Sequence, residues 1–296
     1  MLPLVWIDES KLGPFHVFGI CVAIGLFTWY EVAKRQAQKR GIDDFRALAL
    51  WVVIGGSVAS PLVDRLFYHS GDRAVASTLA SMQGFSATGG FIGACLGAVA
   101  WRYFFIGKRE GRFVVTRRAS APSPLVIVET FVATWPIAFA IGRLGCALVH
   151  DHLGVFVPKG TLGSLLAVTW PTGPEDGTHH VLGAVDVLTG ASAARFDLGL
   201  IECLALAILT AIFVPMYKRE VRLGTYTIIA TLTYGPVRFL LDFLRAEDGP
   251  EGELRHGGLT FAQYFSLAVI AAGVALLVRN LRERRSEVAS IATPGP

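Results

Sequence analysis

Long apolar runs separated by short polar ones set the reading of this chain. Seven windows, roughly 15–33, 47–68, 84–106, 125–148, 197–217, 224–244 and 260–279, each approach the ~20 apolar residues that a helix needs to cross a bilayer. The pattern predicts an all-α polytopic membrane protein of about seven transmembrane helices. The longest polar interval, about 149–196, is rich in Gly, Pro and Thr ("VPKG", "WPTGPEDGTHH"), which predicts a small extracytoplasmic cap of turns and short strands. A single transmembrane domain is therefore expected over 1–285, with the cap inserted at 149–196. A disordered cytoplasmic tail is expected over 286–296 ("SEVASIATPGP").

Composition agrees: of 296 residues, 53% are hydrophobic and only 17% charged, outside the usual balance of soluble proteins. Charge placement then orients the spans. Segments 34–46, 107–118, 216–222 and 279–296 hold 17 of the 27 Lys and Arg, while the four alternate segments hold six. By the positive-inside rule the basic segments are cytoplasmic, the N-terminus outside and the C-terminus inside. Basic loops of this kind read as topology signals and lipid-surface contacts, not as a nucleic-acid site. The opening "MLPLVWIDESKLG" carries two acids and no basic n-region, so a retained first span is expected rather than a cleaved signal peptide. Cys21, Cys95, Cys146 and Cys203 form no CxxC pair, so neither a disulfide nor a zinc framework is expected. Gly89, Gly93 and Gly97, at four-residue spacing in the third window, read as a face on which another helix packs closely.

Ionisable groups inside these windows are the departures that need a reason, since each costs about 2.5–3.5 kcal/mol at a helix centre. Arg102 lies at a cytoplasmic helix end and can snorkel. Arg65, Arg143 and Arg238 instead fall near the outer ends of spans that all run outward. Glu202, Asp242, Thr88 and Arg245 fall at the same level, so a polar stratum is expected at outer-leaflet depth. Ion pairs such as Arg143 with Glu202 or Arg238 with Asp242 would lock the bundle, although buried pairs stabilise weakly. A second reading is a binding site: guanidinium matches phosphate bidentately, which points to a phospholipid headgroup. Gly142 and Gly145, flanking Arg143, would let a headgroup or a neighbouring helix approach the backbone.

The stretch "AFAIGRLGCALVHDHLG" (138–154) carries Arg143 and then His150, Asp151 and His152. Its second half resembles the signature of the prolipoprotein diacylglyceryl transferase family, G-R-x-G-N-F-x-N-x-E-x-x-G. Further segments resemble the same family in the same order: "LGPFHVFG", "GFSATGGFIG", "ARFDLGLIE", "YGPVRFLLDFLRAED" and "LTFAQYFS". The resemblance implies a seven-span fold with a periplasmic cap in the bacterial inner membrane. The implied activity is transfer of diacylglyceryl from phosphatidylglycerol to the lipobox Cys thiol of prelipoproteins, with glycerol phosphate released and no cofactor. It puts the family's signature arginine on Arg143, its sixth-span arginine on Arg238 and its fifth-span glutamate on Glu202. It also matches glycines to Gly89, Gly90, Gly142, Gly145 and Gly154. The chain departs from the pattern at Thr88, where the family has a histidine held to be catalytic. Cys146 and Val149 replace asparagines, Asp151 and Asp242 replace glutamates, and Phe18 replaces a tyrosine.

On this reading Arg143 and Arg238 hold the lipid phosphate and stabilise the leaving group, with Glu202 or Asp242 orienting them. Arg65, Thr88, Gly89, Gly90, Gly142, Gly145, Gly154 and Arg245 would line the substrate site. Thr88 supplies no base, so His150 and His152, supported by Asp151, are the candidates to raise the thiolate fraction. The same cluster also reads as a hydrated helix exit, or as a metal site completed by His179 or His180, although no metal is assigned. Cys146 reads as a buried packing residue or a reactive thiol. A lipid-binding or transport-type protein that lost the chemistry, or a transferase with another donor or acceptor, remains the alternative.

Overall fold

The computed structural model describes residues 16–67, 86–109, 112–149, 152–158, 160–169, 194–245 and 255–292. Among these residues, seven helices of more than fifteen residues appear where the apolar windows lie: α1 (Val17–Lys39), α2 (Phe45–Phe67), α3 (Ala87–Tyr103), α4 (Pro124–Val149), α5 (Leu198–Met216), α6 (Thr225–Leu241) and α7 (Phe261–Ala292). Six of these segments, all but α3, are long and apolar enough to cross a membrane. Helix α3 has 17 residues, about 26 Å at 1.5 Å per residue, slightly short of a ~30 Å hydrocarbon core.

Two boundaries differ from the sequence reading. The third window was expected to continue to 106, but the helix stops at Tyr103, and Phe104–Arg109 (β1) turns back as a hairpin with Arg112–Arg117 (β2). Aromatic and β-branched residues crowd both strands ("FFIGKR", "RFVVTR"), the composition that favours a pleated ladder. The last helix also runs past 286 to Ala292, so the expected disordered tail is helical as far as it is described. Its charges are the reason: Arg279 pairs with Glu283 one turn on at 3.3 Å, and Arg222 reaches Glu283 at 2.9 Å and Glu287 at 3.2 Å.

The chain divides into two compact units. The first comprises residues 1–29, 135–219 and 233–253, and the second residues 30–134, 220–232 and 254–296. In the first unit the cap is a three-stranded antiparallel sheet, with Leu153–Phe156 (β3) and Ala167–Thr169 (β4) flanking Ala194–Asp197 (β5). Val157, Ala167 and Ala194 form its small core, with Phe196 packed against them. Cap residues 170–193, including His179 and His180, lie outside the described residues.

The second unit is held by α2 against α3. A Cβ at Gly93 would lie 2.1 Å from the Gly55 carbonyl oxygen, and one at Gly97 would lie 2.2 Å from that of Trp51. The glycine stripe is thus the packing face expected from its spacing. The same unit contains a buried carboxylate the sequence reading did not single out. Glu129, 1% exposed, accepts hydrogen bonds from Tyr226 N at 2.8 Å, Thr227 N at 3.1 Å and Thr227 Oγ1 at 2.6 Å. It therefore caps the first turn of α6, where unpaired N–H groups and the helix dipole both favour an anion.

Candidate functional site

The first unit gathers its charges where α4, α5 and α6 meet the cap. Asp197 ends β5 and starts α5, its side chain accepting from Leu200 N at 3.0 Å, which fixes the start of the helix and brings Glu202 round its second turn. Gly199 lets that helix close on α4: a Cβ there would sit 3.0 Å from both Ala147 N and Cys146 Cβ. Arg143 comes from the last turns of α4. Tyr234 and Arg238 come from one face of α6, and Asp242 follows four residues later in a short 3-10 turn.

These side chains form one buried, charge-alternating network. Arg143 Nε lies 2.6 Å from Glu202 Oε2, and Arg238 Nε lies 3.8 Å from Glu202 Oε1. Arg238 also donates from Nη1 to Asp242, and the Tyr234 hydroxyl donates to Glu202. The carboxylates are shielded most, Asp242 being 0% and Glu202 3% exposed, while Arg143 is 5% exposed. The Phe139 ring lies under the Arg143 guanidinium at 5.2 Å, and Trp135 sets its ring edge against Tyr234 at 5.1 Å. One carboxylate thus holds two guanidiniums and a phenol, and a second anchors the outer guanidinium.

His152 joins this network. Its Nε2 lies 2.8 Å from Arg143 Nη1. A guanidinium only donates, so in this contact His152 accepts through Nε2 and carries its ring proton on Nδ1. Arg143 Nη1 also donates to Cys146 Sγ at 3.5 Å. Cys146 is buried, so it acts both as packing under Gly199 and as a soft acceptor for the cation. Nε of each arginine makes an ion-pair contact with Glu202, and the hydrogen bonds run through Nη1. A guanidinium has five donor hydrogens, so each cation keeps capacity for a further anion.

Of the residues expected from sequence, Arg143, Arg238, Glu202, Asp242 and His152 come together here. His150 and Asp151 lie outside the described residues. Gly145 is a helix contact, since a Cβ there would lie 2.9 Å from Cys21 Cβ of α1, whereas Gly142 faces open space. Gly154 pairs through its backbone with Arg245 and sits where a Cβ would meet Leu244 O at 2.8 Å, so these two join cap to α6. Thr88, Gly89, Gly90 and Arg65 belong to the second unit. Thr88 is buried in the first turn of α3, whose cap Ser86 accepts from Gly89 N at 3.2 Å and, through its carbonyl, from Ser60 Oγ at 2.9 Å. Gly89 packs on Val63 and Ala59, while a Cβ on Gly90 would meet nothing. Arg65 closes α2, partly buried. Among the described residues, no three His, Cys, Asp or Glu side chains gather to hold a metal ion. Tyr234 was the functional neighbour missed by the sequence reading, although it stands one helical turn before Arg238.

The fold and site define a polytopic membrane protein with a buried arginine–carboxylate network. The sequence model of the prolipoprotein diacylglyceryl transferase family matches residues 10–279. Among curated proteins, a phosphatidylglycerol–prolipoprotein diacylglyceryl transferase of Xanthomonas oryzae pv. oryzae is 24% identical over 305 residues, covering 97% of this chain and 94% of its own. One of the same name from Pseudomonas aeruginosa is 25% identical over 293 residues, covering 94% and 95%. The chain belongs to the prolipoprotein diacylglyceryl transferase family.

Proposed function

We propose that the chain is a phosphatidylglycerol–prolipoprotein diacylglyceryl transferase of the bacterial inner membrane, with its arginine network toward the outer leaflet. Arg143 and Arg238 grip the lipid phosphate, and Glu202 and Asp242 fix the planes of the two guanidiniums. The carrying observation is that buried Glu202 is shared by both cations, 2.6 Å from Arg143 and 3.8 Å from Arg238. Such a preorganised pair stabilises charge that develops on a departing phosphate without reorganising at that moment.

In the reaction, a phosphate that takes up Arg143 donors frees His152 Nε2 from its present partner. His152 then accepts the proton of the lipobox thiol, and the thiolate attacks the glyceryl carbon bonded to phosphate oxygen. The S–C bond forms as that C–O bond breaks, and both electrons leave with glycerol phosphate. The imidazolium proton passes to the departing phosphate monoester, which restores neutral His152. The contact of 2.8 Å between His152 and Arg143 supports this coupling of donor binding to base release. Thr88, at the position of the family histidine, favours a second reading, a lipid-binding or transport-type protein without this chemistry.

Incubating purified protein with phosphatidylglycerol and a lipobox peptide, then measuring intact peptide mass, separates the two. A diacylglyceryl adduct is expected. An unmodified peptide beside an active control transferase would overturn the proposal and leave the second reading.

A further inference from the structure

The second unit carries a second arginine cluster that the proposed reaction does not use. A cavity of about 380 Å³, within the usual range for small-ligand sites, is lined by Arg102, Tyr103, Arg117, Arg118, Ala119 and Ala121. It forms where α3 ends and the β1–β2 hairpin closes, and Arg118 N extends the pairing by donating to Tyr103 O at 2.9 Å.

Arg118 is the fixed member of this cluster. Its Nε donates to Trp101 O at 2.9 Å, its guanidinium lies 4.2 Å from the Trp101 ring centroid, and its Nη2 reaches Asp44 at 3.1 Å. Arg102 is different: its Nε is buried without a hydrogen-bond partner among the described residues, and its guanidinium lies 5.6 Å from the Tyr103 ring centroid. Arg117 is exposed. Three arginines therefore line the cavity, and one carboxylate, Asp44, pairs with Arg118 alone, an excess of positive charge that calls for an anion.

The rim of the cavity says which kind of anion. In the hairpin register Phe104 stands opposite Arg117, and Ile106 opposite Val115, so these four share one face of the ladder. Phe104 is 50% exposed, Ile106 49% and Val115 67%, and Tyr103 beside them is 48% exposed. A soluble anion would make no use of this apolar face. A cation flanked by exposed aliphatic and aromatic side chains, at the point where an apolar span ends, is the arrangement of an interfacial anchor.

We propose that the Arg102–Arg117–Arg118 cavity is an anionic-phospholipid site in the leaflet facing the basic loops, with the phosphate in the cavity and the acyl chains along Phe104, Ile106 and Val115. The site rests on the second unit alone and does not depend on the transferase reading.

The test is native mass spectrometry of the full-length protein in detergent, titrated with dihexanoyl phosphatidylglycerol, dihexanoyl phosphatidylcholine or glycerol phosphate. Two variants are compared with the wild type: Arg102→Ala/Arg117→Ala, and the exposed single change Arg117→Ala, which removes only an exposed side chain. At roughly fivefold per juxtamembrane arginine, the double variant should bind one phosphatidylglycerol about thirtyfold more weakly and the single variant about fivefold. Phosphatidylcholine adducts and transfer at saturating donor should not change. Phosphatidylglycerol binding by Arg117→Ala and by a folded double variant that matches wild type would overturn the proposal. So would glycerol phosphate binding at this site as tightly as the lipid, because the apolar rim would then contribute nothing.

Discussion

Glu202 is the residue whose loss most sharply tests the network. In Glu202→Leu the Arg143 guanidinium, now 2.6 Å from a carboxylate, would stay buried with His152 and Cys146 as its neutral acceptors among the described residues. Arg238 would fare better because Asp242 still anchors it. Removing one partner of a buried pair costs about 3–5 kcal/mol, mostly the penalty of the stranded charge. The retained Arg238–Asp242 pair places Glu202→Leu near the lower end, about 3 kcal/mol, or roughly a hundredfold in the unfolding equilibrium. Arg143→Leu should cost less, since Glu202 keeps both Arg238 and Tyr234. The double change Arg143→Leu/Glu202→Leu removes both ends of the pair. It should be more stable than the sum of the single effects predicts, by about 2 kcal/mol. Equilibrium unfolding in mixed micelles, followed by tryptophan fluorescence, reads this out, and Trp135 reports locally through its contact with Tyr234. Single effects that add to within about 0.5 kcal/mol would show that the two side chains do not share a stranded-charge penalty.

Four further outcomes follow from the same geometry. Arg143→Lys keeps the charge near Glu202 but loses the planar fork, so the transfer rate should fall at least tenfold while the fold survives; unimpaired transfer would remove the bidentate phosphate role. His152→Ala should lower transfer by about a hundredfold or more if Nε2 takes the thiol proton; a rate within twofold of wild type would take it out of the mechanism. Glu129→Gln loses the charge in its hydrogen bonds to Tyr226 N and Thr227 N. A loss of about 1.5–3 kcal/mol is expected on thermal or denaturant unfolding, and an unchanged transition would refute its capping role. Gly93→Ala would put a methyl group 2.1 Å from the Gly55 carbonyl oxygen. Forcing α2 and α3 apart should cost about 1–3 kcal/mol, and an unshifted midpoint would show that the contact gives way freely.

How far the sequence revealed this molecule depended on which physical rule was in force at each position. Apolar windows mark spans because hydrocarbon imposes a length and a composition together, and six helices of spanning length lie where those windows fall. The pairs Arg143–Glu202 and Arg238–Asp242 were legible for a related reason: a buried cation in a bilayer needs an anion at its own depth. The same rule applied to Glu129, inside the fourth window, but its partners are backbone N–H groups of a helix start about a hundred residues away, with no sequence signature. The β1–β2 hairpin was hidden differently. Its basic residues read as topology signals and lipid-surface contacts, and Phe104–Ile106 as the end of a span. Only the paired register shows the apolar residues on one face with Arg117 among them. Tyr234 lay in plain view one turn before Arg238, yet tyrosines are common in apolar helices and its role depends on Glu202 arriving from another helix. The residues that escaped sequence reading are therefore those whose meaning comes from a partner brought in by tertiary structure. An intramembrane charge announces itself alone, whereas a phenol, a cap or a strand face does so only in company.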